Sequence, residues 1–259
     1  MVRLLTALLF IGAALAGTTR VVAPGLGVWQ APVAGFEPPE QCDTCRGPRG
    51  FAVLDGEGWI LLTDRLVGTA GHSMPLPSTG VDVAAGPSGL WVLCREHLAH
   101  LEEGVLVPQP VRWSGTPLEV SGHGSVLSTE GIDGRPLPEG RTSPWGGDLS
   151  LVQEGSQWIA RWPGQPPRLI PGAHIVDLRL VGELADGAQV AALTDSRDGS
   201  APDGVRFVAL RPGGVEQIVE GPPNGDLEVR PRRTYAVDPS SARVYTLVVE
   251  GEELSLRRY

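Results

Sequence analysis

The stretch "DVAAGPSGLWVLC", residues 82–94, decides the fold. An apolar-alternating run meets a Gly-Pro-Ser-Gly turn, and a second apolar run follows, entered through an aromatic; that is the pattern of a β-hairpin. "GFAVLDGEGWILLTD" (50–64) has the same form, with weaker copies in "LEVSGHGSVLSTEG" (118–131), "DLSLVQEGSQWIARW" (148–162), "LRLVGELADGAQVAALTD" (178–195) and "TYAVDPSSARVYTLVVEG" (234–251). Aligned on the second run, the anchors are Trp59, Trp91, Val126, Trp158, Val190 and Tyr245, spaced 32, 35, 32, 32 and 55 residues apart. The long step contains the insertion "DSRDGSAPDG" (195–204). The hairpin is one copy of a repeated unit.

Helical periodicity is nearly absent after residue 16, and 35 glycines and 24 prolines break the chain into short Val/Leu/Ile/Trp runs. Many short strands at a 32–35-residue period predict an all-β chain built as a single β-propeller. Six blades are expected, or seven if Trp29, which lies 30 residues before Trp59, starts a further unit. The second unit should run through strands at 81–85, 89–94, about 97–101 and 105–111, although "REHLAHLEEG" (95–104) also admits a helix. Prolines cluster at the ends of the units, where an outermost strand tolerates a residue with no N–H. The last unit contains only its inner runs, so an N-terminal strand, read as "GVWQAPVAG" (27–35), is expected to close the ring.

"AVDPSSARVY" (236–245) and "VAAGPSGLWV" (83–92) resemble the blade repeat of NHL- and YVTN-type propellers. There an apolar strand runs through Asp-Pro or Gly-Pro into an apolar or aromatic strand. The resemblance implies the architecture. It implies no single activity, because such propellers serve as enzymes, sensors and scaffolds.

Residues 1–16, "MVRLLTALLFIGAALA", combine Arg3, an apolar run of about 13 residues and Ala14-Leu15-Ala16, the pattern of a cleaved secretory signal. A membrane-spanning helix needs about 20 apolar residues. The expected mature domain is 17–259, exported to the periplasm, cell surface or medium, with no transmembrane segment. All 21 cationic side chains are arginines, and removing Arg3 leaves 20 against 30 acids, a formal charge of −10. Nucleic acid and anionic lipid repel such a chain on average.

Cys42 and Cys45, in "CDTC", are expected to form a small disulfide loop in an oxidising compartment. Haem attachment would need His at position 46, where Arg46 stands, and "RGPRG" breaks the helix that a thioredoxin-like site requires. Cys94 reads as a buried small hydrophobe.

Lactonase-like propellers hold a divalent cation at the mouth of the axis with oxygen ligands. The candidates for such a set are Glu119, Asp148, Asp177, Asn224, Asp226 and Glu228; Asp195, Asp198 and Asp203 form a second candidate cation loop. The five histidines, at 72, 97, 100, 123 and 174, show no ligand spacing, and no Gly-x-Ser-x-Gly nucleophile motif occurs. No catalytic set and no cofactor are therefore expected. The leading expectation is a binding or scaffold module of a bacterial cell envelope with a protein or envelope component as partner; a metal-dependent hydrolase of the lactonase or gluconolactonase type is the rival.

Overall fold

The computed structural model describes residues 18–21, 48–137, 143–172, 174–195, 204–220, 235–250 and 253–258. Its described residues contain strands and no helix. After β1 (Thr18–Val21) come six antiparallel sheets, each of three or four strands. Sheet 1 is β2 (Gly50–Leu54), β3 (Glu57–Leu61), β4 (Arg65–Gly68) and β5 (Ser73–Pro75). Sheet 2 is β6 (Gly80–Gly86), β7 (Gly89–Cys94), β8 (Leu98–Glu102) and β9 (Val105–Gln109). Sheet 3 is β10 (Pro117–Val120), β11 (Val126–Ser128) and β12 (Gly131–Ile132); sheet 4 is β13 (Ser150–Glu154), β14 (Gln157–Arg161) and β15 (Arg168–Ile170). Sheet 5 is β16 (Ile175–Glu183), β17 (Gln189–Asp195), β18 (Gly204–Arg211) and β19 (Gly214–Glu220). Sheet 6 is β20 (Tyr235–Val237), β21 (Val244–Glu250) and β22 (Glu253–Arg258), and β1 pairs antiparallel with β22.

All six anchors lie in the second strand of their sheets, as the repeat requires. Residues 98–102 are strand rather than helix, because Leu98 and Ala99 bury between neighbours in an extended register with β7 and β9. The tight turns follow from φ: Asp55-Gly56, Glu103-Gly104 and Asp133-Gly134 each place two consecutive residues at positive φ. That is the hairpin turn whose twist matches the flanking strands. Pro75 and Pro108 stand on the outermost strands β5 and β9.

The expected closing strand, 27–35, lies outside the described residues. The strand that joins the last sheet is instead Thr18–Val21, with Thr18 opposite Arg257 and Val21 opposite Leu254. Residues 18–21 thus supply a strand at the edge of sheet 6. "TTRV" is β-branched at three of four positions, a composition that suits a sheet edge despite its length.

The core lies between the sheets. Trp59, Leu61, Leu90, Val92 and Cys94 pack sheet 1 on sheet 2; Ala84, Leu93, Val120 and Val126 pack sheet 2 on sheet 3. Leu149, Ala160, Ile170, Ala191 and Leu193 join sheets 4 and 5, and Val190, Phe207, Tyr235 and Val237 join sheets 5 and 6. Consecutive sheets that bury their faces against one another, with first strands turned inward, form a propeller-like arrangement.

Cys94 is free and fully buried at the end of β7. Burial pushes its thiol up to about 11. Native protein at pH 8 should therefore resist thiol reagents at this position and react only on unfolding. Between the unfolded thiol's pKa and 11, the unfolded chain loses a proton that the folded chain keeps, so stability falls as pH rises through that window. Labelling of a Cys42→Ser/Cys45→Ser variant, native against denatured, checks the first point. Rapid native labelling would contradict it.

Candidate functional site

The site to examine in such a fold is the axis, where first strands meet. Here β2 contributes Phe51 and Ala52, β6 contributes Ala84 and Ala85, β16 contributes Val181, and β20 contributes Tyr235, Ala236 and Val237. Trp145, from the segment before sheet 4, completes the lining and is 2% exposed. The space left between these side chains holds about one water molecule. Among the described residues, this junction of first strands is closely packed and lined mainly by apolar side chains.

At one end of this core, the turns between first and second strands are tied across sheets. Asp238, 2% exposed, accepts bonds from Ser240 N (3.1 Å), Ser240 Oγ (2.8 Å) and Ser241 Oγ (2.8 Å) within its own turn. It also accepts one from Gly56 N (3.0 Å), which links sheet 6 to sheet 1. Ala185 N donates to Pro239 O (3.0 Å), sheet 5 to sheet 6, and Ser88 Oγ donates to Gly122 O (2.6 Å), sheet 2 to sheet 3. His123 Nε2 lies 2.8 Å from a carboxylate oxygen of Glu183, joining sheet 3 directly to sheet 5. Deeper in, Asp82 accepts from Val120 N (3.0 Å). Nearby, Gly86 and Gly122 approach so closely that a Cβ on Gly86 would stand 2.4 Å from Gly122 Cα. The result is a cross-braced face of hairpin turns.

Asp238→Ala removes four bonds to a buried carboxylate, one of them between sheets. Bonds to a charged group are worth roughly 1.5–3 kcal/mol each, and the two hydroxyls regain water, so a net loss of about 3 kcal/mol is expected. Urea unfolding measures it. A loss under about 0.5 kcal/mol, the range of an ordinary surface change, would mean that the carboxylate does not brace the turn.

Those of the carboxylates nominated from sequence that are described lie apart from one another. Glu119 accepts from Ser143 Oγ (3.4 Å) beside sheet 3, Asp148 is exposed in the turn before β13, and Asp177 pairs with Arg179 (2.8 Å). Asn224, Asp226 and Glu228 lie outside the described residues, as do Asp198, Asp203, Cys42 and Cys45. Asp195 faces Arg206, which also donates to Pro171 O, so its carboxylate is engaged in an ion pair at the base of the insertion. Among the described residues, no group of three or more His, Cys, Asp or Glu side chains is placed to hold a metal ion. No helix among them is long and apolar enough to cross a membrane.

The other histidines make separate local contacts. His72 stacks on Trp59 at 5.7 Å with Nδ1 3.0 Å from Glu57, and His100 lies against Trp91 at 4.6 Å with Nδ1 3.1 Å from Glu102. His97 faces Ser78 Oγ (3.2 Å), and His174 is exposed. The Arg211 guanidinium beside Asp186 holds that carboxyl below the usual carboxylate range. The group is exposed, and the small stabilisation it gives is lost as pH falls through its lowered value.

No family model matches the chain, and no curated protein matches it. Solved structures superpose only loosely. A chain of a mitotic checkpoint complex gives a TM-score of 0.38 at 11% identity, covering 80% of this chain and 76% of that one. The tricorn protease gives 0.37 at 10% identity, covering 81% and 26%. BamB from Moraxella catarrhalis gives 0.28 at 14% identity, covering 81% and 83%. Superpositions this loose carry no argument about fold or activity; the architecture is read from the chain's own sheets.

Two features of the site escaped the sequence. Trp145 sits in "SPWGG", which reads as a turn, yet its ring fills the axis. His123, in "SGHGS", reads as a lone surface imidazole, and its partner lies 60 residues away.

Proposed function

We propose that this chain is an exported, non-enzymatic β-propeller of six blades that acts as a binding or scaffold module of a cell envelope. In this reading residues 1–16 are a cleaved signal, 17–259 form the domain, and β1 closes the ring by completing sheet 6. The Cys42–Cys45 disulfide belongs to the same reading. The observation that carries it is the close packing of the first strands β2, β6, β16 and β20, which among the described residues leaves space for about one water between them. What remains for recognition is the outer surface, and the cross-braced hairpin turns give one face of it a fixed shape. A rigid face binds without the entropy cost of ordering loops.

The partner-facing side carries Asp55, Glu102, Glu103 and Asp186 as exposed acids at hairpin turns. The test is capture and cross-linking from envelope extracts with the mature chain and with an Asp55→Arg/Asp186→Arg variant. An envelope component retained by the first, lost by the second and cross-linked at the hairpin face is the expected result. Turnover of a lactone or ester panel that depends on added divalent cation, with no retained component, would replace this reading with the hydrolase.

A further inference from the structure

The first strand of sheet 4 is the least buried of the six. Four of the five residues of β2, six of the seven of β6 and all three of β20 are buried, two of the four of β10 and three of the nine of β16, whereas none of the five residues of β13 is. The inner braces also pass it by. His123 of the β10–β11 turn meets Glu183 at the end of β16, so sheet 3 is tied to sheet 5 without sheet 4. Trp145 packs with Leu93, Val120 and Val126 and also with Leu180 of β16, again spanning from sheets 2 and 3 to sheet 5.

Among the described residues, what holds sheet 4 is one face. Leu149, Ala160, Ile170 and the partly buried Trp158 pack on Ile175, Ala191 and Leu193. Among the described residues, the polar tie leaving its strands is Arg168 Nε to Pro212 O at 2.8 Å, also on sheet 5. The contact contains a fault: Trp158 Nε1 is buried with no acceptor among the described residues. A buried donor left unmatched weakens the packing that encloses it. On the opposite face, Val152 and Ile159 are half-buried and Leu169 is 54% exposed.

We infer that sheet 4 is a separately opening unit, hinged on sheet 5, that detaches while the other five sheets stay closed through His123–Glu183 and Trp145. Local opening free energies range from near zero to the global value, and regions with few buried contacts take the low end. Opening uncovers the apolar side of sheet 5 at Ile175, Ala191 and Leu193, so the device exposes and hides a hydrophobic surface without dismantling the ring. The inference stands apart from any choice of partner.

Native-state hydrogen exchange on the full chain tests it, comparing β14 with β7 and β17, each the second strand of its sheet. The expected result is protection in β14 at least 100-fold lower than in β7 and β17, with a denaturant dependence smaller than that of β7 but clearly above zero, because the opening exposes the covered face of sheet 5. Trp158→Phe removes the unmatched N–H, and it should raise protection in β14 while leaving β7 unchanged. Equal protection in all three strands would overturn the inference. So would a Trp158→Phe variant that raises β14 and β7 by the same factor, since the chain would then open as one unit.

Discussion

Gly86→Ala should be among the most damaging single methyls in the described part of this protein. A Cβ there would meet the Cα, C and O of Gly122 at 2.4–2.6 Å, all backbone atoms of the neighbouring sheet. A flexible side chain could turn aside; a main chain cannot. Relief requires parting sheets 2 and 3 at the point where Ser88 binds Gly122 O and Val120 binds Asp82. Overpacking ordinarily costs about 1–3 kcal/mol. With no soft partner and two inter-sheet bonds disturbed, a loss of about 4 kcal/mol is expected, or roughly 10 °C in melting temperature for a domain of this size. Gly122→Ala strikes the same contact from the other side, where its Cβ would stand 2.4 Å from Gly86 Cα. The double variant should therefore cost much less than the two single losses added together. Calorimetry on the three variants decides it, and simple additivity or a shift under about 2 °C in either single would show that the approach is not tight.

That contact illustrates what sequence conveys here. Glycine, proline and apolar alternation are local signals, and they placed every second strand, from Trp59 to Tyr245, in its sheet. They mark the Gly-Pro-Ser-Gly turn before Trp91 but cannot show that its first glycine faces another glycine 36 residues on. Radial position is equally hidden. "LSLVQ" (149–153), which runs into β13, alternates much as "VDVAA" of β6 does, yet β13 is half-exposed and β6 buried, because the difference lies in what the neighbouring sheets have already filled.

The N-terminus shows the opposite error. "GVWQAPVAG" offered an aromatic and a proline in the manner of an outer strand, so it outweighed "TTRV", four residues beside the expected signal cleavage point. Pairing depends on reach as well as pattern. Thr18–Val21 lies along the free side of β22, and its four residues match Leu254 to Arg257 one for one.

The candidate site was legible mainly by elimination. The sequence offered two sets of candidate cation ligands, and the members of them that are described occupy separate ion pairs and turns in the structure. The motif Asp238-Pro239-Ser240-Ser241 was visible as a blade signature. Its carboxylate's bond to Gly56, 182 residues distant, was not, because such a brace exists only once the first and last sheets meet.

That meeting is the centre of the account, and one comparison tests it most directly. Two mature forms, one beginning at Gly17 and one beginning at Val22, differ by Gly17 and the strand β1. If β1 completes sheet 6, the shorter form exposes the edge of β22 as a row of unpaired N–H and C=O groups. It should then melt lower by more than about 5 °C, given roughly 2–4 °C per kcal/mol for a domain of this size, and should aggregate in light scattering. A shorter form that melts with the longer one and stays monodisperse would contradict ring closure by β1.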